Sequence, residues 1–277
     1  SLQADSPRED PARGFRSAAV QEDGTRERVR AETFADHYSQ ARLFFTSQTA
    51  FEQAHIASAF VFELSKVDAV HVREAIVGHL RHVDEDLAKR VAAGLAMPEL
   101  PKAPKAAAPV VPMKPSPALQ IIGKMKATLQ GRVVGILVND GSDAAAVAKL
   151  RKAVEGSGAT VKIVAPKVGG AKLADGKLLV ADGQLAGTPS INFDAVAVVL
   201  SAEGAAALTR EAAAIDFVRD AFGHLKAIAL DDGGRALFAK AGLEADAGVV
   251  KAGEADGFVK LAATRQFARE AGVRTLA

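Results

Sequence analysis

The chain contains no cysteine, so no disulfide can brace it, no thiolate can hold a metal, and no cysteine nucleophile is available. The same absence suits a reducing compartment, and the expected location is cytoplasmic. Tryptophan is also missing, there is one tyrosine, and aromatics make up only 5% of the residues. No apolar run approaches the roughly 20 residues that cross a bilayer, and the opening residues do not read as a signal peptide, so no membrane partner is expected. Charge of one sign never accumulates: 35 Lys plus Arg against 33 Asp plus Glu leave +2 without a long basic run, so nucleic acid is not expected either. No G-x-G-x-x-G follows an apolar strand, since Gly131 and Gly135 flank or lie within the first one, which removes the dinucleotide fingerprint.

What is present divides into parts of different character. Residues 1–35 mix Pro, Gly and both charges without period and read as an extended arm, either a flexible terminus or a segment that orders on a partner. Residues 36–97 are helical. Thr49-Ala50-Phe51-Glu52 forms a capping box ahead of a helix over 50–66. Asp68 is the expected cap of a second helix carrying Val72, Ile76 and Leu80, and Asp84 of a third that Gly94 closes. These helices are too little for a core of their own and are expected to dock on something larger. Five of the six histidines lie here; His79 and His82 are spaced for one metal but lack a third ligand nearby, so packing or solvated histidines are the better reading. Seven prolines from Pro98 to Pro117 then make residues 98–128 a semi-rigid linker expected to hold two units apart.

From residue 129 to 277 strands and helices alternate. Strands are expected at 132–138, 160–165 and 194–200, a helix at 143–156, another near 203–222 and a closing one near 254–272. Asp175-Gly176 and Asp182-Gly183 bracket Leu178 to Ala181 and suggest a small hairpin. The fold class is α/β: a flavodoxin-like, mostly parallel sheet with helices on both faces. Acids cluster at strand exits, Asp140 and Asp143 after the first strand and Asp231 and Asp232 after a later one. Together they would suit a divalent cation; separately they are caps and turn formers, the commoner case.

The stretch KAIALDDGGRALFAKAGL (226–243) reads as strand, tight turn and helix, stopped by Gly242. It resembles the nucleophile elbow of the class I glutamine amidotransferase-like superfamily, in its PfpI-like branch. Counting back from Gly242, Asp232 stands at the reactive cysteine's position, and Ala145 falls near the superfamily's glutamate. The resemblance implies a scaffold whose chemistry is gone.

A second resemblance covers the whole order of parts. Arg26-x-Arg28-x-Arg30, then Glu32 to Phe45 (ETFADHYSQARLFF), Ser47-Gln48-Thr49 and Phe60 to Val67 resemble the carboxyl-terminal segment of the haem catalase core. Large-subunit catalases continue through a proline-rich linker into an amidotransferase-like, flavodoxin-type domain lacking the cysteine. The resemblance implies a parent that disproportionates hydrogen peroxide and carries haem, with this part non-catalytic, packed on the catalase core and the other subunits of a homotetramer, stabilising the assembly and controlling access. The family's haem ligand is a tyrosine in R-x-x-x-Y, whereas the only tyrosine here, Tyr38, has Phe34 four residues before it. No catalytic, cofactor-binding or metal residue is therefore assigned in this chain. Two alternatives stay open: an interaction module holding unfolded protein clients on the helices around Phe51, Phe60 and Phe62, and a residual PfpI-like hydrolase using Asp232.

Overall fold

The computed structural model describes residue 21 and residues 23–273. Most of the expected arm, residues 1–20 and 22, lies outside the described residues; residues 23–31 are exposed and carry no helix or strand. Four helices follow: α1 (Ser39–Ser47), α2 (Ala50–Ser65), α3 (Val70–Val83) and α4 (Glu85–Gly94). Their apolar stripes share one core of Phe45, Ala57, Leu64, Val77, Leu80, Leu87 and Val91. The capping box forms as its spacing predicts, with Thr49 and Glu52 serving each other's backbone N–H. Asp84 caps α4, accepting from the N–H groups of Asp86 at 2.9 Å and Leu87 at 3.1 Å. Asp68 does not cap α3; that helix starts one residue later behind Ala69, without a side-chain cap.

Residues 98–128 do not stand off as a spacer. They run back across the helices and are tied to them at several points: the Val111 N–H donates to Ser39 Oγ at 2.7 Å, and the Ser116 N–H to Ser47 Oγ at 2.8 Å. The N–H groups of Ile121 and Ile122 both donate to Glu52 Oε1, at 2.6 and 2.8 Å. Proline explains the shape, since a chain that cannot close helical or ladder hydrogen bonds offers its remaining N–H groups to side chains beneath it.

The sheet that follows is built from β1 (Val133–Val138), β2 (Thr160–Ala165), β5 (Gly183–Gln184), β6 (Ala195–Val199), β7 (Ile228–Leu230) and β8 (Val249–Lys251), in the order β5-β2-β1-β6-β7-β8, and every pairing is parallel. Between β2 and β5 lies a two-stranded antiparallel ribbon, β3 (Ala171–Lys172) with β4 (Leu178–Leu179). Helices α5 (Ala144–Gly156) and α9 (Ala255–Ala262) cover one face; α6 (Ala202–Leu208), α7 (Ala212–Gly223) and α8 (Asp232–Lys240) cover the other. The period of two sorts each strand between the faces: Val134, Ile136 and Val138 pack with α5 and α9, while Leu137, Val196 and Val198 pack with α7 and α8. Burial on both faces is why the strands read as nearly unbroken apolar runs. The α/β fold class is as the alternation predicts.

Three expectations for this unit are corrected and one strand is added. Asp175-Gly176 turns the β3–β4 hairpin, but Asp182-Gly183 leads into β5, a parallel edge strand on β2, rather than closing a second turn. The helix expected over 203–222 is two, α6 and α7, parted at Thr209 to Glu211. The closing helix breaks after Ala262, where the Gln266 N–H donates to Leu225 O at 2.8 Å, and a short α10 (Glu270–Val273) follows. The three-residue strand β8 was not expected; its Val-Val pair is visible as a strand only through its partner β7. The helical unit and the sheet unit meet where Phe51 of α2 stacks on Phe267, ring centroids 6.4 Å apart, and His55 Nε2 contacts the Glu270 carboxylate.

Candidate functional site

The elbow after β7 is real, but its cap is Asp231. One carboxylate oxygen accepts from the Gly234 N–H at 2.7 Å and the other from the Leu200 N–H at 2.8 Å, so this side chain both starts α8 and fastens it to the end of β6. Glycine is required at the next turn because a Cβ at Gly234 would sit 2.6 Å from Val198 O, and one at Gly233 would strike Leu200 O. Burial pushes the Asp231 carboxyl up, the two N–H donors pull against it, the Asp232 charge adds to the rise, and the net direction is up. Asp232, the residue singled out by the elbow pattern, is the first residue of α8 and is exposed to solvent. Ala145, on the exposed first turn of α5, offers only a methyl group.

The other strand-exit acids are likewise used locally. Asp143 caps α5 through the N–H groups of Ala145 at 2.8 Å and Ala146 at 3.2 Å. Asp140 accepts from the Lys172 N–H at 2.8 Å and pairs with Lys167 at 3.5 Å. The Lys172 N–H is the larger reason its carboxyl is held below the usual range, with the lysine charges assisting. Among the described residues no three His, Asp or Glu side chains converge on a point where a metal could sit. His79 and His82 flank Tyr38 instead: the phenol hydrogen-bonds His79 Nδ1 at 2.7 Å, the Tyr38 ring stacks on His82 at 4.3 Å, and His82 Nε2 donates to Pro104 O at 2.6 Å.

At the opposite edge of the sheet Lys226 is buried, and its Nζ donates to Ser190 O at 2.6 Å. Burial, with help from the charge of Arg265, pulls its ammonium down to about 8.

The concave feature of the carboxyl edge lies elsewhere. The chain leaves β1 toward β2 and later crosses back to place β6 on the other side, so β1 borders the topological switch point. A crevice of about 490 Å³ opens there, bounded by Asn139 and Asp140 after β1, Pro166 and Lys167 after β2, Leu185 after β5, and Ala207 of α6. Its floor is rigid. The Asn139 amide donates to Asp140 O at 2.9 Å and Ser201 Oγ at 3.0 Å, and its oxygen accepts from the Ser201 N–H at 3.0 Å and Ser142 Oγ at 3.1 Å. Gly204 lets α6 descend onto this amide, which any side chain there would overlap. Sequence reasoning missed the crevice because its walls come from separate stretches spread between Asn139 and Ala213; the alternation of strands and helices implies a switch point, but only the strand order locates it.

Residues 31–95 match the family described as catalase-related immune-responsive, and residues 130–266 match the one described as the C-terminal domain found in long catalases. The chain belongs to the long catalases. It is 46% identical over 240 residues to Catalase C of Rhizobium meliloti (strain 1021), covering 86% of this chain and 34% of that protein. It is 36% identical over 286 residues to Catalase HPII of Pseudomonas putida, covering 100% of this chain and 40% of that protein. The chain thus spans about a third to two-fifths of the long catalases it matches, and corresponds to their carboxyl-terminal part. Tyr38 does not fit the role of a haem ligand: it is 7% exposed and its hydroxyl is committed to His79.

Proposed function

We propose that this chain is the non-catalytic carboxyl-terminal portion of a haem catalase whose full-length form disproportionates hydrogen peroxide, and that it stabilises a homotetramer and controls access to the core. The observation that carries the reading is the apolar surface of the helical unit. Phe34 is 66% exposed and Phe62 61%, and Phe44, Val70 and Val72 are also open to solvent, an apolar surface that a partner of matching chemistry would cover. The catalase core that precedes this segment in the long catalases is the partner of matching chemistry. Haem chemistry belongs to that core, and no step of it is assigned to residues here.

Two measurements test this. The 277-residue chain, incubated with haem, is expected to release no oxygen from peroxide. Removing residues 129–277 from the full-length protein is expected to shorten the half-life of thermal inactivation and alter the peroxide KM; unchanged values would remove the stabilising and access roles.

The same exposed side chains support a second reading, an interaction module for unfolded clients. The structure narrows its surface, because Phe51 is stacked on Phe267 and Phe60 packs against the helical core, leaving Phe62 of the three open. Suppressed aggregation of a heated test protein, lost on removal of residues 1–98, would favour it. Nothing at the elbow favours a residual hydrolase using Asp232, which is exposed on the first turn of α8 and makes no side-chain hydrogen bond or ion pair among the described residues.

A further inference from the structure

We propose that the crevice at the switch point binds a small organic cation, an ammonium or guanidinium group carried on an apolar body. At about 490 Å³ it falls within the range of roughly 300–1,000 Å³ typical of small-molecule sites. Its walls include Leu185, Ala207 and Leu208, which suit an apolar body, and the charged groups that line it are three carboxylates, Asp140, Glu203 and Glu211, against one ammonium, Lys167. Asp140 and Lys167 neutralise each other at 3.5 Å. Glu203, on the first turn of α6, and Glu211, at the start of α7, enter no ion pair or side-chain hydrogen bond among the described residues. The break between α6 and α7 is what brings both acids to one rim. An anion entering here meets two uncompensated carboxylates, and a neutral molecule gains only the walls; a cation with an apolar body uses both.

The pocket is also preformed. Asn139 spends all four of its hydrogen bonds on fixing the floor, and Gly204 holds α6 at its closest approach, so little ordering cost falls on the ligand. The elbow residues Asp231 and Asp232 do not line the crevice, so the site is separate from the position that the amidotransferase-like pattern would use. The inference does not depend on the catalase reading.

The test is a titration of the 277-residue chain followed by calorimetry and amide chemical shifts, with 2-phenylethylammonium, its neutral isostere 2-phenylethanol, and the anion phenylacetate. The expected result is saturable binding of the cation with shifts confined to residues 166–171 and 203–208. The alcohol should bind roughly fivefold more weakly, as two rim-exposed charge contacts allow, and the gap should narrow as salt is raised. The double variant Glu203→Gln, Glu211→Gln should abolish the gap, and Ala207→Phe, which fills the crevice, should abolish binding. Equal affinity for cation and alcohol, binding that survives Ala207→Phe in a folded protein, or no saturation by about 10 mM cation would each overturn the proposal. Should Ala207→Phe fail to fold, the glutamine pair, placed on exposed positions, decides the matter alone.

Discussion

Asp231 and Asp232 are neighbours with opposite fates, and the difference is which one meets N–H groups that have no other partner. Asp231 serves the first turn of α8 and the Leu200 amide at once, so Asp231→Ala removes a cap and strands a partly buried donor. The expected loss is about 1–3 kcal/mol by urea denaturation, against about 0.5 kcal/mol or less for the exposed Asp232→Ala. Lys226 gives a prediction with a pH signature. Its pKa is about 8 in the folded chain against an ordinary 10.5, so between those values the unfolded chain binds the extra proton and stability rises with pH. Below pH 8 both states are protonated and the cost of the buried charge is fully present. The stability of the natural chain relative to Lys226→Met should therefore climb between pH 8 and 10.5; a flat difference would mean the amine is better solvated than its burial indicates.

At the scale of elements, the proline-rich strap is the part whose role changes most on seeing its contacts. Glu52 is the residue that makes it a strap: one oxygen completes the capping box of α2 and the other takes the N–H groups of Ile121 and Ile122. Burial raises its carboxyl, but the Thr49, Ile122 and Ile121 donors outweigh that and hold it below the usual carboxylate value. Glu52→Gln turns one of these acceptors into a donor facing N–H groups, at an expected cost of about 1–3 kcal/mol. Hydrogen exchange should show faster amides at Ile121 and Ile122 and fraying at the start of α2. Protection unchanged at both amides would mean that the backbone of the strap holds itself. The separation of α6 from α7 belongs to the same scale: no Gly or Pro stands at Thr209 to Glu211, and both helices pack on the same face of the sheet.

For the molecule as a whole, the two units meet, among the described residues, through aromatic and polar contacts at the end of the chain. Phe51 with Phe267 and His55 with Glu270 connect α2 to the end of the chain, while Arg269 holds that end to the sheet unit through Asp246 at 2.6 and 2.8 Å and lies over Phe222. Phe267→Ala is expected to uncouple the units, so that calorimetry resolves a lower-melting transition ahead of the sheet. A single transition at the original temperature would place the coupling elsewhere, in the strap. The exposed Phe34, Phe44 and Phe62 belong to this scale also, because none of them enters the helical core.

The sequence alone determined the elements whose causes are local. The capping box at Thr49 and Glu52, the cap at Asp84, the strands β1, β2 and β6, and the helix α5 behind Asp143 are each written within one or two turns of chain. It also determined the family, because a specific run from Glu32 to Phe45 and the order of parts survive in the residues themselves. Tertiary structure decided the rest. That Asp231 rather than Asp232 caps α8 depends on Leu200, 31 residues away; that β8 is a strand depends on β7; that the linker is a strap depends on Glu52. The crevice exists only where β1, β2, β5 and α6 end together. In each case the deciding partner is distant in sequence, and a backbone group or carboxylate takes whichever partner the folded chain brings within hydrogen-bonding distance.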